Sequence, residues 1–324
     1  MNVRDRFVTV LIAGLLLTGC STDQATFNSP DAAAESLAGA LRKNDSAALK
    51  KVFGPESSEI LSSGDPVADK AEAARFIEAY DQSHRLELQG GVEHVLIVGK
   101  QNWPFPVPIV QNDNGKYLFD TEAGKDEILN RRIGRNELDS VQVCLAIVDA
   151  EREYVTLRPM GGDVPIYASK LVSSAGKKDG LYWPAAEGGP ESPLGELVAE
   201  AAAEGYRQRK EGEAPKPYHG YRYRLLTSQG PAAKGGAMDY LVKGQLIGGF
   251  AVIAYPAQYG NSGIMSFITN HDGVVYQRDL GPETEKVAQA LASFDPTPQW
   301  TPVKDAVQDS AGGASAGAGA SEGK

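Results

Sequence analysis

DEILNRRIGRNELDSVQVCLAIVDAEREYV, residues 126–155, is the stretch that decides the fold class. Leu138, Val141, Leu145 and Val148 recur at steps of three and four, which places them on one face of a helix. A helix with one apolar face must bury it against a sheet or another helix. Gly134 predicts a break or kink near its start. Downstream, GYRYRLLTSQ (220–229) alternates, with Tyr221, Tyr223 and Leu225 on one side. GGFAVIAYPAQ (248–258) and GIMSFITN (263–270) follow, and His271-Asp272-Gly273 turns the chain into VVYQRDLG (274–281). Asp-Gly between two β-rich runs is a hairpin signal. An antiparallel meander of three or four strands is expected, with the helix covering its apolar face. Between helix and meander, residues 156–217 read as an irregular insertion around one short helix, Leu194 to Arg209.

Upstream of the helix the pattern is a second, smaller α+β unit, residues 27–124. SPDAAAESLAGALRKNDSAALKKVFG (29–54) predicts two short helices broken near Asn44-Asp45, with Ser29 as N-cap, Pro30 at the first helical position and Gly54-Pro55 as the stop. SSGDPVADK (62–70) reads as a loop before a helix from Ala71 to Tyr80. LELQGGVEHVLIVG (86–99) and PFPVPIVQNDNGKYLFD (104–120) read as strands, with a turn at Asn114-Gly115. The pattern is similar to the cone-shaped domains of the nuclear-transport-factor-2 type. The expected class is therefore α+β: a small helix-plus-sheet unit, then residues 125–302 as a long helix on a β-meander.

The first twenty residues, MNVRDRFVTVLIAGLLLTGC, place Arg4 and Arg6 before an apolar run from Phe7 to Leu17 and end in small residues. This is the three-part layout of an export signal, residues 1–19. Leu17-Thr18-Gly19-Cys20 matches the bacterial lipobox, in which Cys20 is acylated, with palmitate-type chains, and becomes the new N-terminus. Acyl chains on one residue add about 0.8 kcal/mol per buried methylene, enough for stable anchoring when several are present. Residues 20–26 are then a lipidated tether. The residue after the cysteine is Ser21 rather than the retention signal Asp, so the expectation is an outer-membrane lipoprotein facing the periplasm. At the other end, VKDAVQDSAGGASAGAGASEGK (303–324) is low-complexity and expected to be disordered.

The 324 residues contain 32 Lys+Arg against 42 Asp+Glu, a net charge of −10. Removal of residues 1–19 makes it one unit more negative. With a pI near 5.0, the chain lacks the excess cation that phosphate neutralisation needs, so no nucleic-acid partner is expected. Two cysteines make neither a disulfide framework nor a multi-cysteine zinc site. Cys144 lies among apolar residues, where an inert buried thiol is expected. His84, His94, His219 and His271 form no close pair, and no HExxH, Walker loop or strand-linked GxGxxG is present. No metal or cofactor is implied. Ser174 three residues before Lys177 is the one formal nucleophile match, but Gly176 favours a loop there. Asp149 and Glu153 lie one helical turn apart, as on any charged helix face.

Several residues have two readings. Arg131, Arg132 and Arg135 form either a solvated face with local ion pairs or a grip on a partner's carboxylate or phosphate. Tyr182 and Trp183, in DGLYWP, either anchor the insertion in the core or form an aromatic platform for a partner. His219, in PYHGYRYR, either satisfies a loop carbonyl or forms a cleft with Tyr182 and Trp183, where it binds a ligand carboxylate or senses pH. Tyr221 and Asp179 complete the set of candidate binding residues.

WPFPVPIV (103–110), RRIGRNEL (131–138), DGLYWP (179–184), PYHGYRYRLLTSQGP (217–231) and GGFAVIAYPAQYGNSG (248–263) together resemble the family of Gram-negative envelope proteins called domain of unknown function 2950. The resemblance covers residues 27–302, implies localisation and fold unity, and brings no catalytic residue. More loosely, the long helix, variable loop and Asp-Gly-closed meander are similar to the globular half of type IV pilins and pseudopilins. That likeness implies a shared scaffold, since pilins carry their apolar assembly helix at the very N-terminus. The expected role is a non-catalytic adaptor or assembly factor with an envelope protein partner. The alternative is an envelope hydrolase or small-ligand binder with His219, Asp179 and Arg135 at its site.

Overall fold

The computed structural model describes residues 24–55, 57–185, 191–206 and 216–304. The expected signal peptide, Cys20, most of the tether, the end of the expected Leu194–Arg209 helix and the tail from residue 305 lie outside the described residues.

The N-terminal unit begins with α1 (Pro30–Arg42), α2 (Ser46–Phe53), α3 (Ser58–Leu61) and α4 (Pro66–Gln82). Ser29 caps α1, its Oγ accepting from Ala32 N at 3.1 Å with Pro30 next in line. The break to α2 falls where expected: Asn44 takes φ 50° and Asp45 caps the new helix through Ala48 N at 2.9 Å. α4 starts five residues earlier than the expected Ala71. Asp65-Pro66 is its cap and first turn, the Asp65 Oδ1 accepting from Val67 and Ala68 N–H at 3.1 and 3.2 Å. The sheet comprises β1 (His84–Gln89), β2 (Glu93–Val98), β3 (Trp103–Pro104), β4 (Ile109–Gln111) and β5 (Tyr117–Phe119). Its order is β1-β2-β4-β5, with β3 also on β2 and every pairing antiparallel. Phe53, Phe105 and Phe119 pack ring to ring at 5.2 to 6.3 Å in the space between helices and sheet.

α5 runs without interruption from Thr121 to Leu157, 37 residues. Gly134 produces no break, because a glycine inside an otherwise intact hydrogen-bond ladder lowers helix stability without removing a bond. The buried stripe bears out Val141, Leu145 and Val148 but is centred elsewhere. It follows Ile133, Asn136, Ser140, Cys144, Ile147, Glu151 and Tyr154, whereas Leu138 is 69% exposed. Three polar residues occupy this stripe with specific partners, so hydrophobicity alone misplaces its centre.

After α6 (Gly195–Glu204) the C-terminal strands are β6 (Tyr221–Leu226), β7 (Ser228–Gln229), β8 (Met238–Asp239), β9 (Leu241–Val242), β10 (Gln245–Leu246), β11 (Ala251–Pro256), β12 (Met265–Asn270) and β13 (Tyr276–Asp279). α7 (Thr284–Ala290) and β14 (Thr301–Pro302) finish the fold. The main sheet is an antiparallel meander of order β14-β13-β12-β11-β6. β7/β8 and β9/β10 form two small ribbons within the β6–β11 connection. The Asp272-Gly273 turn closes β12 onto β13, with Gly273 at φ 83°. Tyr221, Tyr223 and Leu225 face α5 together with Val252, Ala254 and Phe267. The opposite face, Leu226, Ile253, Tyr255 and Ile268, is covered by Ala288 of α7 and by Phe294 and Trp300. Burial on both faces explains why β11 reads as a continuous apolar run.

The unit boundary expected at residue 124 falls in the first turn of α5. Ile128 packs into the N-terminal core, while Val141 to Tyr154 pack on the meander side. One helix thus supplies both cores. No helix among the described residues is long and apolar enough to cross a membrane.

Candidate functional site

Two places gather polar or aromatic side chains beyond what packing needs. The first is a seam where four parts of the chain meet. Asp65, 1% exposed, caps α4 with Oδ1 and with Oδ2 accepts from Tyr206 OH at 2.7 Å and Gly220 N at 3.2 Å. One carboxylate therefore joins the N-terminal unit to the insertion and to the meander. Burial, then the bond to Asp65, raises the Tyr206 phenol, which stays protonated as the donor. Next to it His219 adopts φ 50°, a left-handed backbone uncommon outside glycine, in which asparagine, aspartate and histidine are the enriched side chains. Its Nδ1 lies 2.8 Å from Asp139 Oδ2 on α5 and its Nε2 3.1 Å from Glu204 Oε2 on α6. Burial pulls the imidazole down, but Asp139 and then Glu204 outweigh it, so the pKa is raised. With a carboxylate beside each nitrogen, the protonated ring donates from both N–H groups, and this is what raises its pKa. Tyr206 lies parallel to it at 6.0 Å and Tyr218 edge-on at 4.2 Å.

The three arginines are used within the molecule. Arg131 donates from Nε to Glu127 at 2.7 Å and from NH1 to Pro104 O at 3.0 Å. Arg132 donates to the Glu59 and Ile60 carbonyls, both at 2.8 Å, and to Asn261 across the seam. Burial lowers its guanidinium pKa. Arg135 pairs with Glu72 of α4; burial raises the Glu72 carboxyl, but Arg135 and Arg75 overcome this and lower it.

The remaining candidates do not join His219. Trp183 is 5% exposed and lies edge-on to Tyr154 at 6.3 Å, so it is an anchor and not a platform. Tyr182 is half-buried and bridges Val172 through the backbone. Tyr221 is fully buried, its OH donating to Met265 O at 2.8 Å. The cleft expected among His219, Tyr182 and Trp183 is replaced by the Tyr206 and Tyr218 rings. Asp179 closes its own loop: it receives Lys170 Nζ at 2.9 Å, Ser174 N at 2.7 Å and Ser174 Oγ at 3.0 Å. Burial opposes its ionisation, but Lys170 and Ser174 hold its pKa down at about 2. Lys170 Nζ also sits 2.6 Å from Ser174 Oγ, a serine–lysine contact. Asp179 Oδ2 contacts both members of the pair, Lys170 Nζ and Ser174 Oγ. Burial pushes the Cys144 thiol up to about 12, far from a reactive thiolate.

The second place is a groove of about 400 Å³ between the N-terminal sheet and the first turns of α5, lined by Val95, Pro104, Phe105, Pro106, Glu127 and Arg131. At its edge Trp103 is 37% exposed, with the Arg131 guanidinium 4.9 Å from the ring centroid. The pair is a cation–π contact in which the guanidinium covers one face of the ring. WPFPVP (103–108) carries the signal for this site. Alternating prolines cannot complete a ladder beside β2, which leaves the strand edge broken and the groove open. Among the described residues, no group of three or more His, Cys, Asp or Glu is placed to hold a metal ion.

A family model described as "Protein of unknown function (DUF2950)" matches residues 24–303. The chain belongs to this family. The match spans both sheets, all of α5, the seam and the groove, so in this DUF2950 member both places lie within the family's own range. Comparison with curated proteins and with solved structures returns no match.

Proposed function

We propose that this DUF2950 protein is a lipid-anchored envelope protein, held through Cys20 at the periplasmic face of the outer membrane, and that it acts there as a non-catalytic adaptor. The groove beside Trp103 and Arg131 is its partner-binding surface. The observation that carries this reading is a contrast between an open groove and polar groups already engaged within the molecule. Trp103, 37% exposed, stands at the edge of an open, proline-walled groove, whereas the reactive groups are tied off. His219 has a carboxylate on each nitrogen, Lys170 is bound by Asp179, and Cys144 is buried. The same contrast weighs against a hydrolase centred on His219, because Asp179 and Arg135 serve other partners.

Anchoring is supported by the lipobox and is tested by labelled palmitate incorporation, which Cys20→Ala abolishes if the reading holds. Partner binding is tested by a photo-crosslinking residue at position 103 in cells, with one at Val172, 55% exposed, as control. A discrete protein adduct from position 103 alone supports the adaptor. No adduct from a correctly localised protein, or the same adducts from both positions, overturns it.

A further inference from the structure

The described chain begins against the last turn of α2. Gln24 Nε2 donates to Val52 O at 3.0 Å and Phe119 O at 2.7 Å, and Ala25 N donates to Lys51 O at 2.7 Å. Cys20 precedes Ala25 by five residues, so even a fully extended tether places it within about 18 Å of this point. An acyl chain on Cys20 therefore brings the α2 surface close to the lipid headgroups.

The charge of α2 itself is opposite to that of the molecule. SAALKKVF, the whole of α2, contains no carboxylate. Lys50 and Lys51 lie on its exposed side, and Lys43 is exposed in the turn before it. Asp45, beside Lys43, caps the N-terminal end of α2 through Ala48 N, and Asp120 and Glu122 flank Thr121, whose Oγ1 donates to Phe53 O at the C-terminal end. Arg42, Arg75, Arg85, Arg131, Arg135 and Arg152 all have carboxylate partners. Lys43, Lys50 and Lys51, like Lys70, Lys100, Lys177 and Lys243, form no ion pair among the described residues, and what sets them apart is their place beside the tether in a chain of net charge −10. Unpaired cations at the root of a tether, on an otherwise acidic protein, match an anionic bilayer surface.

We propose that α2 docks on anionic phospholipid headgroups through Lys43, Lys50 and Lys51, and so fixes how the anchored protein sits on its membrane. This rests on the lipid-anchor reading of Cys20. Each lysine near an anionic surface strengthens contact about fivefold, and the attraction is screened within the Debye length, about 3 Å at 1 M salt.

The test uses the chain from Cys20 onward, which retains every described residue, coupled through Cys20 to a maleimide lipid. Buried Cys144 does not compete for the reagent. The coupled protein is placed on vesicles of phosphatidylcholine alone or with one-third phosphatidylglycerol, and lysine acetylation is mapped by mass spectrometry. Acetylation of Lys43, Lys50 and Lys51 is expected to fall about fivefold on the anionic vesicles and to recover in 1 M salt. Exposed Lys177 and Lys243 should not change. Lys50→Gln with Lys51→Gln should remove the protection of Lys43 without moving the thermal midpoint. Equal acetylation on both vesicle types, or equal protection of Lys243, overturns the proposal. Chemical coupling makes this result independent of cellular acylation, which the palmitate experiment decides by itself.

Discussion

His219 Nδ1 stands 2.8 Å from Asp139 Oδ2, linking the start of the meander to the middle of the long helix. The imidazole pKa is raised in the fold, so between the ordinary value and the raised one the folded state binds more protons than the unfolded state. The contribution is complete below the unfolded pKa of about 6.5 and is lost as pH rises through the folded value. Asp139 and Glu204 are 36% and 42% exposed, which screens the pair. His219→Gln should cost about 1–2 kcal/mol at pH 6 and less at pH 9. Denaturant midpoints at the two pH values check this, and an equal loss at both would refute the charged linkage.

Glu151 works in the same direction from a different place. Its side chain is fully buried on α5, with Ala168 N at 2.9 Å as donor to one oxygen. The other oxygen has no partner. Burial pushes the carboxyl up to about 8, against the smaller pull of the Ala168 N–H. Its proton uptake on folding makes stability fall as pH rises from the ordinary carboxylate range through about 8. Glu151→Gln keeps an acceptor for Ala168 and cannot ionise. It should match the parent near pH 5 and exceed it by about 1–3 kcal/mol at pH 9, as read by urea unfolding.

Gly220 takes φ 74°, and a Cβ there would meet Asn136 Nδ2 at 2.6 Å and Ser262 Cβ at 3.0 Å. Gly236 has a similar φ, 80°, but open space around it. Alanine at 220 should cost about 2–3 kcal/mol and at 236 about 1 kcal/mol. The difference between the two thermal midpoints isolates the close approach at the seam, and equal losses would show that the seam yields freely.

Cys144 should resist alkylation in the folded protein. With its thiol at about 12, the thiolate fraction at pH 8 is on the order of one in ten thousand. Peptide mapping after iodoacetamide treatment should find Cys144 modified only once denaturant has unfolded the chain.

The meander and the long helix were legible because their signals are local. Alternation in Tyr221-Tyr223-Leu225, the Asp272-Gly273 turn and the capped start at Ser29-Pro30 each specify geometry within a few residues. The start of α4 is encoded in Asp65-Pro66, a pair that suits a turn and a helix start equally well. The face of α5 was legible in Val141, Leu145 and Val148 but not in its polar part, because Asn136, Ser140 and Glu151 are buried by contacts to Ser262, Tyr223 and Ala168 elsewhere in the chain. For the same reason the His219 site could be suspected but not assembled: Asp139, Glu204 and Asp65 lie 80, 15 and 155 residues from the groups they bind. Trp183 illustrates the converse, since the same Leu-Tyr-Trp string suits a core anchor or a surface and only the fold decides between them.

At 1.5 Å per residue the 37 residues of α5 form a rod about 56 Å long. Its two ends belong to different cores, so no exon-like cut can separate the halves without leaving one of them uncovered. Recombination that swaps either half for another module would have to replace the rod as well. In this chain the rod is shared by the two cores, and neither core can be exchanged without it.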